Sequence, residues 1–178
     1  MEKNLEPLER ARRNAARFGL PLETRHGDGL RALRPGEVSS LSLCGMGAKT
    51  IRGLLERDPE VLEAVQNVVA QPNDWAEPPR RWAKSNGFWL EQEGLVPGFW
   101  DYTVLHLRRN PGEDPAYLGI PLELGYAFGP HLLRQKDARL QAALERTKTR
   151  LERVVQYANP RVQRDWMRVQ AALEWLKG

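Results

Sequence analysis

The sequence predicts an α/β fold, on three observations. Two short extended runs each pass into a glycine-bracketed turn and then into a helical stretch. A third apolar run and a closing pair of extended runs add strands to the same sheet. Past residue 130 the strand signals stop and only long helical periodicity remains.

The elements follow in order. Residues 5–18 predict a helix: Asn4 stands at the cap, Pro7 lies in the first turn where a missing N–H costs nothing, and Leu8, Ala11, Ala15 and Phe18 recur at helical spacing before Gly19. Residues 21–25 are short and extended, and run into Gly27-Asp28-Gly29-Leu30. Residues 38–43 alternate apolar residues with serine, the pattern of a strand, and run into Cys44-Gly45-Met46-Gly47. A helix carrying Ile51, Leu54 and Leu55 comes next. Asp58-Pro59 breaks it and starts a second helical piece with Val61, Leu62 and Val65. Val68-Val69-Ala70 predicts a buried strand that ends at Gln71-Pro72-Asn73. Pro78 and Pro79 open a helix holding Arg80, Arg81 and Trp82, which stops near Gly87. Residues 88–93 and 99–107 flank a Leu95-Val96-Pro97-Gly98 turn and predict an antiparallel hairpin. A Pro- and Gly-rich loop spans 111–121. One long helix is expected over 132–155, stopped by Asn159-Pro160. A second, with Val162, Trp166, Val169, Leu173 and Leu176, is expected to pack back on it as an antiparallel helical hairpin. Two units are therefore expected, at 1–128 and 129–178.

Bulk composition narrows the class. Of 178 residues, 41% are hydrophobic and 28% charged, as in a soluble globular chain. The single cysteine, Cys44, excludes an internal disulfide and fits a reducing compartment. There is no run long enough to span a membrane and no signal-peptide core at Met1-Glu2-Lys3-Asn4, so a cytoplasmic setting without a membrane partner is expected. Charge is uneven: residues 1–130 carry net −2 and residues 131–178 net +6. A basic appendage on a near-neutral body suits a polyanion partner, or is simply a solvated helix surface.

The ligand chemistry concentrates at the strand ends, where open α/β sheets bind ligands. Asp28 sits between glycines that let backbone approach a ligand; it either accepts from an exocyclic amine or caps a helix. Gly45 and Gly47 either let a cofactor pass over the strand end or permit a tight turn, and no phosphate-loop pattern accompanies them. Gln71 and Asn73 have side-chain amides suited to reading a nucleobase edge; Pro72-Asn73 is equally a plain turn. Trp75, two residues on, could stack on a base. His26, His106 and His131 are scattered and give Cys44 no base. No His, Cys, Asp and Glu grouping has metal-site spacing, so no metal is expected.

Taken in order, these motifs resemble the bacterial tRNA (adenine(22)-N1)-methyltransferase family. The resemblance runs through Arg25 to Leu30, Cys44 to Ala48, Gln71 to Asn73, and Arg80-Arg81-Trp82. It continues through Glu93, Tyr102-Thr103-Val104 and Phe128-Gly129-Pro130, over about residues 2–158. It implies an incomplete Rossmann-like class I methyltransferase sheet with a C-terminal coiled-coil hairpin. S-adenosyl-L-methionine is the implied methyl donor and an adenine N1 in tRNA the implied target. It assigns cofactor contacts to Glu2, Gly27, Asp28, Gly29, Leu30, Gly45, Met46 and Gly47, and orientation of the target base to Gln71 and Asn73. RNA contacts fall to Lys49, Arg52, Trp75, Arg80 and Arg81 on the body and to Arg134, Lys136, Arg139, Lys148 and Arg150 on the tail.

The family begins earlier, with a strand and a cofactor loop that this sequence does not contain. Either the true start lies upstream of Met1 or the chain is a shortened relative. In the usual methyltransferase sheet strands 1 and 2 stand between strands 3 and 4; without both, residues 22–25 lose their neighbours and the edge of 38–43 is exposed, so self-association through that edge is expected. Two other functions remain open: a non-enzymatic RNA-binding remnant, and a helical scaffold with no nucleic-acid role.

Overall fold

The computed structural model describes residues 1–155 and 159–178; the expected turn between the two C-terminal helices includes 156–158, which lie outside the described residues. The chain begins with α1 (Leu5–Arg17) and a short 3₁₀ turn at Gly29–Ala32, followed by β1 (Ser40–Met46), α2 (Ala48–Arg57) and α3 (Pro59–Leu62). Next come β2 (Asn67–Pro72), α4 (Glu77–Ser85), β3 (Phe88–Val96) and β4 (Tyr102–Arg109). The rest is helical: α5 (Leu122–Phe128), α6 (Pro130–Arg134), α7 (Ala138–Glu152) and α8 (Pro160–Lys177).

The four strands form one sheet in the order β1-β2-β4-β3. β1 and β2 are parallel, with Leu43 beside Ala70, and β4 runs antiparallel between β2 and β3. This is a Rossmann-like sheet closed by a hairpin. Alternation sets its faces: Leu41, Leu43, Val68, Ala70, Leu105 and Leu107 are buried, whereas Ser40, Ser42 and Cys44 are exposed. The buried face shares a core with Ile51 and Leu55 of α2, Val61 and Leu62 of α3, and Trp82 and Ala83 of α4. A second core joins Leu124, Ala127 and Phe128 of α5 to Leu132, Leu140, Leu144, Val169 and Leu173. α5 thus serves both cores, since its Tyr126 belongs to the first.

Two expectations are corrected and one element is added. Residues 21–25 form no strand; their neighbourhood has one parallel bridge, Glu2 to His26, because no ladder runs alongside them among the described residues. The long helix expected over 132–155 is two helices. Lys136 takes a left-handed φ of 50° and Asp137 caps α7 by accepting from the Leu140 amide at 2.8 Å, so 135–137 is a break and a restart. The segment 122–128, given no element in the sequence reading, is α5. β1 forms one edge of the sheet, as the resemblance implied.

Candidate functional site

The C-terminal ends of β1 and β2 meet in a small polar cluster. Gly45 is bulged out of the β1–β2 ladder, between Cys44 opposite Gln71 and Met46 opposite Pro72, with φ of 75°. Glycine suits this left-handed position. Two side-chain amides from β2 and the turn after it grip the bulge. Gly45 N donates to Gln71 Oε1 at 3.0 Å, and Asn73 Nδ2 donates to Gly45 O at 2.8 Å. The Asn73 amide N–H also bonds Met46 O at 2.8 Å. Gln71 spends its own Nε2 on Pro72 O at 2.9 Å. Its side chain therefore holds the turn, while Asn73 is exposed and keeps a second N–H. Gly47 stands at the cap of α2 without a capping side chain. Asp74 does that work from the neighbouring turn, accepting from Ala48 N at 2.6 Å. Asp74 was not singled out in the sequence, since its partner lies 26 residues away.

The other glycine turn is elsewhere. Glu2 pairs its backbone with Arg25 and Gly27 at 3.1 and 3.0 Å. Asp28 Oδ2 accepts from Arg57 Nη1 at 3.0 Å, and its carbonyl accepts from Arg57 Nη2 at 2.6 Å. Arg57 is held above its ordinary pKa chiefly by its bond to Asp58, with Asp28 adding to it. Leu30 is fully buried in the first core. These contacts lie at the last turn of α2, whereas Gly45, Met46 and Gly47 lie at its first. Ten helical residues separate the backbones at these two ends. The eight assigned cofactor residues thus form two groups.

Beside the Asn73 cluster, a cleft of about 570 Å³ separates the sheet's helices from α7 and α8. It gathers five of the ten residues assigned to RNA: Lys49, Arg52, Trp75, Arg81 and Arg150. Trp75 is 44% exposed and packs edge-on against Phe128, ring centroids 5.3 Å apart. Arg161 and Arg168 add charge that the sequence reading did not pick out. A closed ring of ion pairs spans the cleft's rim: Arg81 bonds Glu77 and Glu123 at 2.8 and 2.6 Å, and Arg168 bonds the same two at 3.2 and 2.7 Å. The Arg81 bond lowers the pKa of Glu123 and raises that of Arg81. The Glu77–Arg81 spacing was the visible signal for half of this ring.

The remaining assignments scatter. Arg80 is corrected: it is 2% exposed, so it is withdrawn from phosphate contact. Its Nε and Nη2 donate to Glu93 at 2.9 and 2.8 Å, and Nη1 donates to the Tyr126 and Ala127 carbonyls. The Glu93 side chain, fully buried, also accepts from His131 N at 2.9 Å. This pair joins the sheet to the α5–α6 junction. Gly129 is required there, since a Cβ on it would stand 2.5 Å from the Glu93 carboxylate. Arg134 and Lys136 border a different cavity, with Trp175 and Ile120. Arg139 pairs with Asp101 at 3.3 Å, and Lys148 with Glu152 at 3.5 Å.

Parallel strands with a polar, glycine-bulged end beside a basic cleft define a Rossmann-like domain whose candidate site lies at the carboxyl ends of its strands. The chain belongs to the tRNA (adenine(22)-N(1))-methyltransferase family, whose model matches residues 1–177. A curated Bacillus subtilis tRNA (adenine(22)-N(1))-methyltransferase is 29% identical over 134 residues, 74% of this chain and 56% of that protein. The chain therefore spans little more than half the length of that relative. The crystal structure of the B. subtilis tRNA methyltransferase TrmK superposes with a TM-score of 0.80 at 27% identity, covering 98% of this chain and 77% of the other. A Streptococcus pneumoniae protein in complex with S-adenosyl-L-methionine shares the fold at TM-score 0.81 and 21% identity, covering 97% and 79%.

Proposed function

We propose that this chain transfers a methyl group from S-adenosyl-L-methionine to N1 of an adenine in tRNA. The carrying observation is that five residues assigned to RNA line one cleft beside the Asn73–Gly45 cluster. The donor carried by the S. pneumoniae protein supports the choice of cofactor. The residues present fit such a donor at two places. Asp28 has one oxygen fixed by Arg57, and its Oδ1 has no partner among the described residues, which leaves it to accept from an exocyclic amine. A Cβ built on Gly45 meets nothing within 4 Å, so a ligand can lie against its backbone. Bound S-adenosyl-L-methionine supplies an electrophilic methyl on a sulfonium.

The chain's own work is alignment. Adenine N1 has a free lone pair at neutral pH, so no general base is required, consistent with a site built from amides. Gln71 fixes the bulge, and Asn73 offers its remaining N–H to the target base. Lys49, Arg150 and Arg161 hold phosphates, and Trp75 stacks on an exposed base. In this reading residues 1–128 carry methyl transfer and share the RNA with the basic residues of 129–178. A cytoplasmic setting follows from tRNA as substrate, and the free edge of β1 offers itself to a second copy of the chain.

A second reading, RNA binding without catalysis, is favoured by the separation of the two cofactor groups at opposite ends of α2. One experiment separates the two. The full chain is incubated with a tRNA transcript and labelled S-adenosyl-L-methionine, and N1-methyladenine is measured. The expected result is methylation whose kcat/KM falls about 100-fold in Asn73→Ala, because misplacement of a reacting base is that costly. Salt-sensitive tRNA binding with no methylation would leave the RNA-binding reading in its place.

A further inference from the structure

The β3–β4 hairpin ends in an aromatic tip that the reading above leaves unused. Phe99 is 90% exposed and Trp100 52%. Their ring centroids lie 5.0 Å apart, edge to face, and Trp100 lies 5.8 Å from Tyr102. Exposed aromatic clusters of this kind mark interaction sites.

The register fixes where the tip stands. β4 runs antiparallel to β2 with Leu105 opposite Ala70. The residues before Leu105 therefore run past the C-terminal end of β2, the edge that carries Gly45 and Asn73. From Tyr102 to Val104 β4 pairs with β3 alone, so the hairpin and its tip project past the C-terminal end of the β2–β4 ladder. The tip is also anchored. Asp101, 19% exposed, accepts from Arg139 at 3.3 Å and Arg146 at 3.4 Å, both on α7. Two exposed guanidiniums thus flank one carboxylate next to the rings. Arg150, one turn past Arg146 on the same helix, lines the cleft. α7 carries one strip of positive charge from the hairpin tip to the cleft.

Rings with open faces and neighbouring guanidiniums match the chemistry of unpaired nucleotides: bases stack on the rings and phosphates meet the arginines. We propose that Phe99 and Trp100, with Arg139 and Arg146, bind unpaired nucleotides of the RNA substrate close to the target base. The net +6 of residues 131–178 favours a polyanion over a protein partner here. The proposal rests on the reading of the cleft as an RNA site and adds to it a second contact that selects for unpaired RNA.

The test compares the full chain with the double variant Phe99→Ala/Trp100→Ala, using a tRNA transcript and a blunt RNA duplex as probes. Thermal unfolding checks that removing two exposed side chains leaves the fold intact. The double variant is expected to bind tRNA at least about tenfold more weakly, to bind the duplex unchanged, and to be rescued on tRNA by keeping Phe99 with Trp100→Phe. Unchanged tRNA affinity overturns the proposal, as does an equal loss on tRNA and duplex. So does a shift from dimer to monomer at unchanged tRNA affinity, which would make the tip a self-interface. If the unaltered chain binds no tRNA, the proposed function falls as well; if it binds and the variant matches it, only the role of the tip falls.

Discussion

Two glycine turns sit at the two ends of α2, and they are held in opposite ways. In the 27–30 turn a Cβ on Gly29 would stand 2.3 Å from Leu54 Cδ2, and Arg57 clasps Asp28 by side chain and carbonyl. In the 45–47 turn the space beside Gly45 is open, and the Gln71 and Asn73 side-chain amides hold its backbone. Both glycines have left-handed φ, at 66° and 75°. One glycine allows packing and the other allows approach. A turn packed against a helix end can meet a ligand only through a side chain such as Asp28, whereas a turn with empty space over its backbone can receive one against the backbone itself.

The same substitution at both glycines sharpens this contrast. Gly29→Ala pays the left-handed backbone cost and an overpacking cost, together about 3 kcal/mol in urea unfolding. A loss under about 1 kcal/mol would mean that Leu54 yields and the turn is loose. Gly45→Ala pays only the backbone cost, about 1–2 kcal/mol. It is expected to depress methyl transfer more than its stability loss accounts for, because the new methyl group enters the open space. Equal stability losses at the two sites would break the comparison.

The smallest effect is a pH dependence. Arg25 ties the closed turn down by bonding Ala32 O at 3.1 Å and pairing with Glu37. Its hydrogen bond holds the Glu37 carboxyl at about 2, below its ordinary value of 4.5. A depressed folded-state value means the contribution is whole above about 4.5 and is lost as pH falls toward 2. Thermal melts over that window should show the loss, and Glu37→Gln should flatten it slightly. A variant with the parent's slope would remove Glu37 from the closure.

Much of the body was legible in the sequence, and the reasons are local. The serine alternation before Leu43 and the prolines opening α4 are short-range signals, and each gave its element; the hairpin was also legible, but its turn, expected at 95–98, lies at 97–101 because Leu95 and Val96 still pair with Thr103 and Tyr102. The helix break at 136 was missed because the apolar period continues across it; Asp137 as a cap was its one local sign. Gln71 and Asn73 stood out as amides at a strand end, but nothing local shows that Gln71 spends its side chain on the turn.

The adjacent arginines mark where sequence stops and tertiary structure starts. By itself the chain determined the α/β order, the glycine turns, the basic tail and membership of an ordered motif set, because periodicity, turn chemistry and charge are written residue by residue. Only tertiary structure decided that Arg80 is sealed against Glu93 while Arg81 faces the cleft. Neighbours on a helix point about 100° apart, and which direction meets a buried carboxylate depends on a strand 13 residues away and a helix junction nearly 50 residues away.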